Sequence, residues 1–139
     1  MAGVIWIVQV VHYPLFARVG AAGYAAYQGA HVRLITYVVL PAMLVELATA
    51  AAWAWAARGG AAGGAVGWGS GAVAWANLIG VGVIWGSTAL LQVPAHGALA
   101  EAFDAGAHRR LVDTNWIRTI VWSVRAAGLT YLVWRGLPR

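Results

Sequence analysis

The chain has 139 residues, 62% of them hydrophobic and only 9% charged, with no cysteine and a formal charge of +5. That length suits one domain, and so apolar a composition excludes an ordinary soluble protein. Without cysteine there are no disulfides and no thiolate metal sites, which leaves His, carboxylate, amide and Tyr as candidate ligands. All nine basic residues are Arg, placed at the ends of apolar blocks or inside them. None forms a basic stripe with interleaved aromatics on a soluble face, so nucleic-acid binding is rejected.

A helix needs roughly 20 apolar residues to cross ~30 Å of hydrocarbon. Four blocks meet that length, at about residues 3–22, 33–57, 71–93 and 114–135. The expected architecture is all-α, an integral membrane antiparallel four-helix bundle forming a single domain over 1–139. The first block lacks the basic start and small-residue cleavage site of a secretory signal and reads as a retained span. Pro14 and Pro41 fall inside the first two spans and should kink them.

The connection "RGGAAGGAVGWGSG" (58–71) reads as a glycine tether without chemistry. The other two, 18–33 and 94–113, are amphipathic and hold His31, His96 and His108 with Glu101, Asp104 and Asp113. Polar chemistry therefore gathers at one face, while Trp6, Trp53, Trp55, Trp75 and Trp134 suggest an aromatic belt near the other. His108, beside two Arg in "GAHRRL", reads as a solvated loop residue. Glu101 and Asp104 read as helix-end or loop carboxylates, and Asp113 as one of these or as the N-cap of the last helix. Arg18, Arg33, Arg109, Arg110 and Arg118 outnumber Arg58, Arg135 and Arg139, which favours both termini outside.

A helix rises about 1.5 Å per residue, so depth decides which polar residues can meet. His12 and Arg118 should be level at roughly 6–9 Å below the polar face, and Glu46 and Arg125 level at about 17–20 Å. His31, His96 and Asn115 lie at the rim. Ionisable groups inside spans should face inward and be paired. Glu46 and Arg125 answer each other, either as an ion pair that fixes register or as part of a site. Arg118 and Arg125 share a stripe that would suit a carboxylate, a phenolate or haem propionates. His12, His31 and His96, with Glu46 below, form a candidate ligand set for Fe, Cu, Zn or Mn, although each histidine alone would equally serve as a hydrogen-bonded core residue. The spacing is not a compact metal motif, and neither a phosphate-binding glycine loop nor a serine nucleophile constellation is present.

The stretch "LLQVPAHGALAEAFDAGAHRRLVDTNWIRTIVWSVR" (90–125) resembles the end of the small four-span bacterial membrane proteins of the anthrone-oxygenase-like family. The matching residues are Gln92, Pro94, His96, Leu99, Asn115, Arg118 and Arg125. The resemblance implies a multi-pass protein of the bacterial inner (cytoplasmic) membrane; some members of that family oxidise polycyclic anthrones to quinones, and most have no known activity. Gln92 and His96 depart from the Asn expected in that element, and His12 and Glu46 are additions, which favours a metal- or haem-bearing relative.

The leading functional expectation is a membrane oxidoreductase or oxygenase acting on a small hydrophobic aromatic or quinone-like substrate. A transition metal would sit on His12, His31, His96 and Glu46. Arg118 and Arg125 would stabilise negative charge on the substrate oxygen, Asn115 would orient it, and Tyr37, Trp85 and Trp122 would wall the pocket. One alternative is b-type haem on two of the three histidines. Another is a non-enzymatic transport, sensor or assembly subunit with pH-responsive histidines. So small a bundle also leaves room for a homo-oligomer.

Overall fold

The structure is a computed structural model and describes residues 1–58 and 71–137. The described residues are helical apart from short turns, with no strand, and fall into four helical segments. We label them α1 (Ala2–Arg18), α2 (Tyr24–Arg58), α3 (Gly71–Glu101) and α4 (Ala105–Gly136). The tether at 59–70 and Arg139 lie outside the described residues. Two segments, Ala21–Arg58 and Gly71–Glu101, are long and apolar enough to cross a membrane, and the apolar α1 is shorter.

The helices run further than the apolar blocks. α2 starts at Tyr24 and α3 ends at Glu101, so most of the two amphipathic connections is helix. The start of α4 corrects the expectation at Asp113. The N-cap is Asp104, whose side chain accepts the Ala107 amide at 2.6 Å, and Asp113 lies inside the helix. Residues 105–113 contain no proline and only one glycine, so nothing stops the helix once Asp104 has capped it. Between α1 and α2 the chain reverses at Gly20, whose φ of 83° suits glycine alone at little cost.

Both α1 and α3 contain a π-helical turn, Val8–His12 and Thr88–Gln92. The amide of Tyr13 bonds the Val8 carbonyl, and that of Val93 bonds the Thr88 carbonyl, each five residues back. A proline follows at once in both helices, Pro14 and Pro94. Its missing N–H leaves a carbonyl of the preceding turn without its usual partner, and widening that turn to the π register accommodates the deficit. Pro41, by contrast, sits within a continuous α2.

α1 packs on α4, α4 on α3 and α3 on α2, and the ring is closed by Phe16 of α1 against Tyr24, Tyr27 and His31 of α2. The interior is unusually polar. Gln9, Gln28, Gln92, Asn115, Arg118 and Thr119 are buried, while Tyr37 is 72% and Leu90 76% exposed. In water such a distribution would be inverted relative to the usual apolar inside.

Candidate functional site

The four helices enclose a cavity of about 820 Å³. Its walls are apolar and aromatic: Ile5 and Val8 from α1, Val39 and Met43 from α2, Trp85 from α3 and Trp122 from α4. Tyr37 and Val93, both largely exposed, also line it. One end is polar, formed by Tyr13, Thr88, Gln92, His96 and Arg118.

Arg118 is 6% exposed and is held entirely by neutral acceptors. Its Nε donates to Asn115 Oδ1 at 2.9 Å, and its Nη2 to the same oxygen at 2.5 Å. Nη2 also approaches Tyr13 Oη at 3.2 Å and Gln92 Oε1 at 3.4 Å, while Nη1 donates to Thr88 Oγ1 at 3.3 Å. Asn115 is fixed in turn by donating to Gln9 Oε1 at 2.7 Å, and Gln9 donates to the Val112 carbonyl at 3.1 Å. Gln92 is fixed by donating to Thr114 Oγ1 at 2.7 Å. This chain of amides holds the guanidinium at the cavity wall without cancelling its charge.

The histidines gather just above. His12 Nε2 and His31 Nδ1 are 2.9 Å apart, and the His31 and His96 rings are 5.4 Å apart. Gln28 Nε2 donates to His96 Nδ1 at 2.7 Å, so the other ring nitrogen carries the proton and donates to Tyr13 Oη at 3.0 Å. His108 is half-buried in the first turns of α4, with Nε2 2.8 Å from the Tyr13 carbonyl. That corrects its assignment to a solvated loop: the early start of α4 turns its ring back onto α1. Among the described residues, two buried atoms here have no partner, His31 Nε2 and Gln28 Oε1.

Deeper along α4 lies a second cluster. Arg125 Nη1 meets Glu46 Oε1 at 3.4 Å, and its Nε donates to Asn77 Oδ1 at 3.1 Å. Trp122 Nε1 donates to the other Glu46 oxygen at 2.8 Å. Gly80 makes room for this: a Cβ there would stand 3.0 Å from Arg125 Cδ. Glu46 is therefore engaged by Arg125 and Trp122 rather than by the histidines. Among the described residues, no group of three His, Asp or Glu side chains is arranged to hold a metal ion. With both nitrogens of His96 taken by Gln28 and Tyr13, the set falls short of a metal site as it stands.

Gln9, Tyr13, Gln28 and Thr88 were not singled out in the sequence. A signal existed for two of them, since an amide at Gln9 inside an apolar block and a Tyr beside His12 both need partners. Comparison with known protein families, with curated proteins and with solved structures found no match to this chain.

Proposed function

We propose that the protein is a four-span antiparallel bundle in the bacterial cytoplasmic membrane, working as an oxidoreductase or oxygenase on a hydrophobic aromatic or quinone-like molecule. Its polar interior and apolar exterior support the membrane setting, where polar groups must find partners inside the protein. α2, at about 50 Å by helical rise, would project beyond a ~30 Å hydrocarbon layer and carry His31 to its edge.

The observation that carries the chemistry is the cavity itself, apolar and aromatic along its walls and closed at one end by Arg118 and Tyr13. Its volume lies within the roughly 300–1,000 Å³ typical of small-molecule sites. A polycyclic substrate would lie between Trp85 and Trp122 with its oxygen on Arg118 and Tyr13. Those donors stabilise the charge that appears on that oxygen when the CH₂ across the central ring loses a proton, and Asn115 holds the guanidinium in place. For an anthrone the overall change is oxidation of the ring CH₂ by O₂ to a quinone carbonyl, with release of water. The test is oxygen uptake by purified protein in detergent supplied with an anthrone or a hydroquinone. Turnover no faster than with empty micelles sinks this reading.

A second reading keeps a transition metal on His12, His31 and His96. His31 Nε2, buried without a partner among the described residues, is the observation that favours it, and binding would require His12 and His96 to give up their present hydrogen bonds. Elemental analysis of protein never exposed to chelator, beside His12→Ala/His96→Ala, decides it: about one equivalent of metal, lost in the double variant, is the expected result. Protein free of metal overturns it, and a Soret band in the same sample points to haem instead.

A further inference from the structure

We infer that the cavity takes its ligand as an oxyanion on a flat apolar body, with Arg118 as the counter-charge. This rests on the reading of the cavity as a binding site and adds the charge state of what fills it. A guanidinium taken out of water is expensive unless an opposite charge answers it. Arg125 shows how the same helix solves that problem, with Glu46 at 3.4 Å. Around Arg118 every partner is neutral, and among the described residues no carboxylate pairs with it. The guanidinium has five N–H donors, and Nη1, with two of them, makes a single bond, to Thr88. One donor remains over.

Tyr13 adds a second. Its oxygen already accepts from Arg118 and from His96, so its own O–H is left to point at something else. Arg118 and Tyr13 thus present a cation and two spare donors to the cavity, whose lining also includes the exposed Arg33, and Gln92 and Thr88, the neutral acceptors beside them, are already occupied by the guanidinium. Such a site binds a carboxylate or phenolate oxygen and gives a neutral alcohol much less, because charge-assisted hydrogen bonds are the strong ones. The aromatic walls formed by Trp85 and Trp122 select a planar body.

The test uses the full chain in detergent and two fluorescent probes of one shape, 9-anthracenecarboxylate and 9-anthracenemethanol, each corrected for partition into empty micelles. Wild-type protein should bind the carboxylate about tenfold or more tightly than the alcohol. That preference should vanish in Arg118→Gln and persist in Arg118→Lys and in Arg33→Gln, the other cation of the lining. Equal affinities in the wild type overturn the oxyanion assignment and leave the cavity reading standing, whereas no binding of either probe removes both. If Arg118→Gln does not fold, the wild-type ratio still decides. Dodecanoate is the control on shape: displacement at concentrations equal to or below those of the flat acid overturns the planar body and gives the same oxyanion site to fatty acids.

Discussion

Arg118 and Arg125 stand two turns apart on one face of α4, yet their surroundings are opposite. Arg125 is closed by Glu46 and Asn77, and the carboxylate is bound again by Trp122. Arg118 has four neutral partners, an unspent donor and a cavity in front of it. A charge closed by its own protein holds helices together. A charge left open keeps its attraction for something that arrives. Trp122 joins the two regions: its indole donates to Glu46 while its face lies 5.9 Å from the Arg118 guanidinium carbon and lines the cavity.

If the contrast holds, Arg125→Met should be the most damaging change, costing roughly 3 kcal/mol because it strands the Glu46 charge. Thermal unfolding in detergent followed by circular dichroism reads it, and adding Glu46→Gln should recover most of the loss. Asn115→Ala comes next, at about 2 kcal/mol, since it unseats both Gln9 and Arg118 from a fully buried position. Trp122→Phe should cost about 1 kcal/mol by removing one donor from Glu46. Arg118→Gln should fall below about 1 kcal/mol, because losing its hydrogen bonds is offset by no longer burying an unanswered charge. A melting temperature for Arg118→Gln as low as that of Arg125→Met would erase the distinction between the two regions.

Much of this arrangement can be read from the sequence, because helical rise is regular. Counting residues from the polar face places Glu46 level with Arg125, and His12 level with Arg118 at roughly 6–9 Å below the rim histidines. What counting misses is azimuth and neutral chemistry. Gln9 and Tyr13 signal only that they need partners, without naming them, and Gln28 carries no charge to flag it. Which carboxylate caps α4 was decided between Asp104 and Asp113, two residues of one type, by the absence of any helix breaker between them. Depth alone does not say whether Glu46 turns to the histidines or to Arg125. Its partners in the structure are Trp122 and Arg125, the groups that lie level with it on α4.

The two π turns carry a consequence for how this chain tolerates changes in length. Elsewhere in a helix, deleting one residue rotates everything beyond it by about 100° and pulls the buried face out of register. A π turn already holds one residue more than an α turn needs. Removing Leu90, which points outward from the turn at Thr88–Gln92, should let α3 close as an ordinary α-helix with Val81 and Ile84 on one side and Ala95 and Leu99 on the other still facing inward. The fold would survive the deletion, and Thr88 and Gln92, now four and seven places after Ile84, would stay on the inward face toward Arg118. A single missing codon would thereby straighten α3 and leave both the four-helix assembly and the polar end of the cavity in place.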